Sequence, residues 1–108
     1  MASSLVNSQA VVVESAGVEL PGDLAMPQRP VGLVLFAHGG GSSRASPRNR
    51  AVAGVLNEGD LATLLMDLLT ADEQETDELT GRLRFDIDLL SRRLVGAIDW
   101  LAKREQPQ

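Results

Sequence analysis

Apolar positions along the chain predict six elements. Val11-Val12-Val13, then apolar side chains at Val18, Leu20, Leu24 and Met26 after Ser15-Ala16-Gly17, predict two strands joined by a tight turn. In the second strand the period of two sets one face on a core and the other toward water. Pro21-Gly22 interrupts it, and proline cannot donate to a ladder, so the hairpin is expected at a sheet edge or with a bulge at that point. Val31 to Ala37 is continuously apolar and predicts a strand covered on both faces in the middle of a parallel sheet. Leu61 to Met66 predicts a second buried strand, with Asp67 at its carboxyl end. Between them Ser46-Pro47 reads as an N-cap followed by proline at the first helical position. Val52, Val55 and Leu56 share one helical face, and Glu58-Gly59 closes the helix. Strand, helix, strand is a βαβ unit with a right-handed crossover.

Thr70 to Thr80 has no apolar face and carries five carboxylates within Ala71 to Glu78, so it is expected to be a solvated loop. The ligand positions and glycine of a calcium loop are absent from it. The last element is a long helix from about Arg82 to Arg104, with Phe85, Leu89, Leu90, Leu94, Ala97, Ile98 and Leu101 as its sheet-facing stripe. Asp86 and Asp88 near its start and Lys103 and Arg104 near its end suit the helix dipole. Trp100, the lone indole, reads as a helix–sheet packing residue. The fold class is therefore α/β, an amino-terminal β-hairpin plus a parallel βαβ with flanking helices.

Composition removes whole classes of function. The 108 residues carry 15 acidic and 10 basic side chains, a net charge of −5, and make one domain at most. There is no cysteine, which excludes disulfides, a zinc ribbon, an iron–sulfur site and a thiol nucleophile within this chain. A single histidine, His38, leaves little for metal binding, and no cofactor is expected. Without a Lys/Arg cluster no nucleic-acid partner is expected. No signal-peptide pattern and no long uncharged apolar run occur, so the expected location is the cytoplasm, with no membrane partner.

The chemistry concentrates at Gly39-Gly40-Gly41, directly after the first buried strand. Three glycines let backbone N–H groups approach a ligand with no Cβ in the way. Phosphate cradling and oxyanion stabilisation both use such a turn, and a tight turn with no ligand is the plainest alternative. A Walker loop needs a lysine that does not follow here. A dinucleotide fingerprint counted from Gly39 meets Arg44 where its third glycine belongs, although Asp67 imitates the ribose-binding acid.

The hairpin with Val18-Glu19-Leu20-Pro21-Gly22, the strand ending His38-Gly39-Gly40-Gly41-Ser42-Ser43-Arg44-Ala45-Ser46-Pro47-Arg48-Asn49, and the strand end Leu65-Met66-Asp67-Leu68-Leu69-Thr70 before an acidic stretch together resemble the amino-terminal half of an α/β-hydrolase of the dienelactone-hydrolase-like group. The resemblance implies a partial α/β-hydrolase fold whose His-Gly-Gly-Gly loop gives an oxyanion-hole N–H from Gly40 or Gly41, with His38 and Gly39 positioning the loop. Arg44, Ser46, Arg48 and Asn49 also match the group and are expected to hold the loop against the first helix. The family's nucleophile elbow and its later acid and histidine are absent from these residues, and Ser42 activated by His38 would run against the family's chain order. Residues 1–108 are thus expected to be the amino-terminal half of one hydrolase domain, stopping before the elbow. The parent would hydrolyse an ester or lactone through an acyl-enzyme, and this half alone should be inactive by that route. A second expectation is a binding or assembly module that dimerises, or pairs with a complementary half, through an open sheet edge.

Overall fold

Ala16 and Gly17 both take positive φ, 51° and 84°, the backbone of a two-residue primed turn whose twist matches the strands on either side. The strands it joins are β1 (Asn7–Ser15) and β2 (Val18–Met26), in a computed structural model that describes residues 6–38 and 44–105. Their antiparallel register runs from Asn7 opposite Met26 to Ser15 opposite Val18 with no extra residue. Of the two arrangements expected for Pro21-Gly22 it is the edge that is found: the hairpin ends the sheet and carries no bulge. Pro21 is tolerated because β2 pairs with its other neighbour only over Gly22–Ala25, which leaves the missing donor outside that ladder.

That neighbour is β4 (Leu61–Asp67), which also pairs in parallel with β3 (Gly32–His38). The sheet order is β1-β2-β4-β3. β4 is interior and buried from Ala62 onward, as its apolar run predicts. β3 is not: among the described residues it has a neighbour on one side only, and Leu33 to Phe36 are half-buried. Its apolar run reports a strand made to be covered, and the described elements cover one side of it.

Helix α1 (Pro47–Glu58) opens as expected, with Ser46 Oγ accepting from the Asn49 N–H and Pro47 at the first turn. It lies against β4 through Ala53 and Asn57, whereas Val52 and Val55 are exposed. The expected apolar face is displaced because Asn57 donates to the Leu61 carbonyl and to Thr63 Oγ1 (2.8 and 3.2 Å), a polar seam that fixes the helix rotation. The opposite face of the sheet carries the core of Val13, Leu20, Leu24, Leu64, Met66, Leu68, Ala97 and Leu101. Here α3 (Ile87–Glu105) crosses β1. At the crossing a Cβ on Gly96 would lie 2.1 Å from Ser15 Oγ, so only glycine allows the approach, and Ser15 Oγ donates to the Arg93 carbonyl at 2.6 Å. The helix begins five residues later than expected because Leu83–Phe85 form a separate 3₁₀ turn. Phe85 and Ile98, assigned to the sheet-facing stripe, are exposed.

The acidic stretch is a helix, α2 (Ala71–Thr80), not a loop. Its reason is polar rather than apolar. Thr70 Oγ1 accepts from the Glu73 N–H while Glu73 Oε1 accepts from the Thr70 N–H, a reciprocal capping box. Asp72 and Glu73 fall in the first turn, where the dipole favours them. Gly81 closes the helix in the left-handed conformation, φ 68°.

Candidate active site

The carboxyl ends of β3 and β4 lie side by side, with His38 opposite Asp67 in the register. The glycine turn leaves from the first of them. Gly39, Gly40, Gly41 and Ser42 lie outside the described residues, so what the structure supplies is the frame at either end of the turn. On the entry side His38 is buried, and its carbonyl accepts from the Leu68 N–H at 2.8 Å. On the exit side Arg44 is fixed by Asp67, whose two carboxylate oxygens accept the Arg44 backbone N–H (2.8 Å) and Nη1 (2.9 Å).

Asp67 is 2 % exposed, and a carboxylate taken out of water needs such partners. Both oxygens thus accept from Arg44. Asp23 on β2 continues the network, 3.5 Å from Arg44 Nε and 2.5 Å from Arg50 Nη2 of α1. Two arginines and two aspartates balance in charge. Arg44 is accordingly held by strands β4 and β2, rather than against the first helix as expected from its match to the hydrolase group. Arg50 is the link to that helix.

Beside this frame a cleft of about 300 Å³ is lined by Pro21, Arg44, Asp67 and Leu69 and walled by Gln74 and Glu75 of α2. A hollow of about 350 Å³ lies on the α1 side of the hairpin. Four of the polar side chains lining it are engaged with one another, Arg50 with Asp23 and Asn57 with Thr63.

Sequence reasoning missed the group that fixes the β4–α2 connection. Arg93 of α3, 5 % exposed, donates Nη1 to the Leu68 carbonyl (2.9 Å) and to Glu73 Oε1, and Nη2 to Glu73 Oε2 (2.8 Å). A fork-to-fork arginine–carboxylate pair is both strong and directional. It holds the Glu73 carboxyl well below its ordinary 4.5, at about 2, against the opposing effect of burial. One helical turn away, burial pushes the Asp77 carboxyl up, and the Arg84 backbone N–H and guanidinium more than offset this, so it too sits below the usual range. Arg84 donates its backbone N–H and its Nε to the two Asp77 oxygens at 2.9 and 2.8 Å. The sequence held two signals. Thr70-x-x-Glu73 is a capping-box spelling, and Arg93 lies on the apolar stripe between Leu90 and Ala97, where a cation needs a partner. Among the described residues no group of His, Asp and Glu is arranged to hold a metal ion, and no helix is long and apolar enough to cross a membrane.

No family model matches the chain. Among solved structures it is similar to dienelactone hydrolase from Anabaena variabilis, with 57 % identity and a TM-score of 0.86 over 91 % of this chain and 45 % of that one. A cold-adapted esterase from an Arctic intertidal metagenomic library shares the fold at 18 % identity and a TM-score of 0.69, over 96 % of this chain and 48 % of its own. In sequence, 97 residues are 45 % identical to a Mycobacterium tuberculosis protein named as a candidate phosphoribosyl transferase, covering 90 % of this chain and 21 % of that protein. The chain thus spans under half of these solved relatives and about a fifth of the curated one.

Proposed function

From the dienelactone-hydrolase-like α/β-hydrolase fold of the described chain, we propose that these residues are the oxyanion-loop half of a site that hydrolyses esters or lactones. One observation carries the proposal. The Asp67 carboxylate grips both the backbone N–H and the guanidinium of Arg44, so the turn beginning at His38 leaves one strand end and is tied down at the next. Electrostatic catalysis gains most where N–H groups are aimed without reorganising as charge develops, and Asp67 fixes where this turn ends. Gly40 or Gly41 would give the N–H to the carbonyl oxygen of the substrate as a nucleophile adds to its carbon, with His38 and Gly39 setting the loop's path. Arg44 also cancels the charge of Asp67, so no unpaired carboxylate at the β4 end opposes that oxyanion.

The 108 residues contain no G-x-S-x-G elbow, and the nucleophile, its base and the acid belong to the remainder of such a domain. By itself this half does not form an acyl-enzyme. The transferase name of the mycobacterial relative is not carried over: the match covers 21 % of that protein, and nearly all of this chain also aligns with a dienelactone hydrolase. The test is ester hydrolysis by a hybrid in which these residues replace the aligned part of the Anabaena enzyme.

A further inference from the structure

Leu68, the first residue beyond β4, is held on both sides of its own backbone. Its N–H donates to the His38 carbonyl at 2.8 Å, where β3 ends and the glycine turn begins, and its carbonyl accepts from Arg93 Nη1 at 2.9 Å. Asp67, one residue earlier, holds Arg44 at the exit of the same turn. Two successive residues at the end of β4 therefore fasten both ends of the turn, and Arg93 of α3 reaches the second of them from outside the sheet. Arg93 is itself fixed at its backbone, because its carbonyl accepts from Ser15 Oγ at 2.6 Å, close to where Gly96 brings α3 onto β1.

Folding alone does not call for a guanidinium here. Among the described residues no other arginine or lysine is buried, and the position lies on the apolar stripe between Leu90 and Ala97, where an apolar side chain would extend the core. Exchanging a buried ion pair for apolar groups is often neutral or stabilising, and the best attested use of such a pair is to fix one arrangement against its neighbours. Capping of α2 does not need Arg93 either, since Glu73 and Thr70 already bond each other reciprocally. What the guanidinium adds is direction. Nη1 joins the Leu68 carbonyl to Glu73 Oε1 while Nη2 takes Glu73 Oε2, a planar fork that a lysine does not reproduce.

We propose that Arg93 is a positioning residue for the oxyanion turn, acting through Leu68 on the His38 carbonyl. The inference rests on the hydrolase reading. A peptide group is planar, so a fixed His38 carbonyl sets the direction in which the chain enters the turn. A displacement of about 1 Å in a group that meets the transition state can lower a rate on the order of 10²-fold. Arg93 touches no substrate in this arrangement, so its loss should leave ground-state binding alone.

The test uses the hybrid with the Anabaena enzyme and the 108-residue chain side by side. In the hybrid, Arg93→Met should lower kcat by about 10²-fold with KM held within about twofold. Glu73→Ala keeps the bond from Arg93 to Leu68 and is the more destabilising change, yet it should lower kcat by less than about threefold. A merely structural role would rank the two the other way. Arg93→Lys, which keeps the charge without the fork, should fall between them and takes the place of the methionine variant if that one does not fold. In the 108-residue chain, Arg93→Met should raise amide exchange at Leu68 by about tenfold or more relative to Val31, whose N–H donates to the Asp60 carbonyl (2.8 Å) at the other end of the same strand pair. An active hybrid whose kcat is indifferent to Arg93, or falls in the order of stability, would overturn the inference alone. So would exchange that rises equally at Leu68 and Val31. A parent hybrid that folds without activity would overturn the hydrolase reading, and the inference with it, even where Leu68 exchange responds.

Discussion

Asp67 and Arg44 are 23 residues apart in sequence and joined twice, once through the arginine backbone and once through its side chain. The double contact makes Asp67 the fastening point of the glycine turn's exit. Asp67→Asn keeps the volume and removes the charge, leaving a buried amide where two donors converge. About 2 kcal/mol of stability should be lost in urea unfolding. Arg44→Met should cost more, because it leaves the Asp67 carboxylate, 3 % exposed, without its counter-charge, whereas Asp67→Asn leaves a guanidinium that is 36 % exposed and solvated. Equal effects, or none, would show that the carboxylate is not the fastening point.

A similar asymmetry is expected at Glu73 and Arg93. Removing Glu73 strands a guanidinium that is 6 % exposed, whereas removing Arg93 leaves a carboxylate that is 29 % exposed. Glu73→Ala should therefore cost about 3 kcal/mol and Arg93→Met less, with the double variant close to Arg93→Met alone. Strict additivity in the cycle would deny the pairing.

The same carboxylates set the acid limit of α2. Folded values lie below the unfolded ones, from 4.5 to about 2 at Glu73 and downward from 3.8 at Asp77. Their contribution is complete above the unfolded values and drains away as pH falls through the folded ones. Helical signal from α2 should therefore persist to about pH 4 and fall toward pH 2, and Glu73→Gln with Asp77→Asn should flatten that limb. An unchanged acid limb in the double variant would assign the transition to other groups.

Gly96 is a packing requirement, since its missing Cβ is what admits Ser15. Gly96→Ala should destabilise by about 2 kcal/mol through overpacking, and Ser15→Gly in the same chain should recover part of it. If Gly96→Ala is neutral, α3 does not cross β1 at this residue.

These relationships differ in how far the sequence discloses them. The hairpin turn, the Ser46-Pro47 helix start and β4 were legible because each depends on local chemistry or on one unbroken apolar run. Helix α2 was not, because its stability comes from the Thr70–Glu73 cap and from carboxylates paired with Arg84 and Arg93, and a hydrophobicity pattern registers none of these. The rotation of α1 was misjudged for a related reason, since buried Asn57 outranks Val52 and Val55 in choosing the face that meets β4. At the site, Arg44 and Asp67 are each conspicuous in the sequence, but only the fold, which sets the ends of β3 and β4 side by side, brings them together.

Ser42 is expected to be inert as a nucleophile. Incubating the 108-residue chain with a fluorophosphonate probe should give no adduct by intact mass, because no base stands in the family's order behind that serine. A stoichiometric adduct at Ser42 would mean that the glycine turn carries the attacking group itself.

The role of the glycine turn is measured most directly as kcat/KM for a chromogenic ester in the hybrid that joins these residues to the remainder of the Anabaena enzyme. The hybrid should be active, and at one of the two positions, Gly40→Pro or Gly41→Pro, removal of the N–H should lower kcat by about 10²-fold or more with the fold intact by circular dichroism. A folded hybrid with no activity, or one that loses nothing to either proline, would contradict the assignment of this chain as the oxyanion-loop half of a hydrolase.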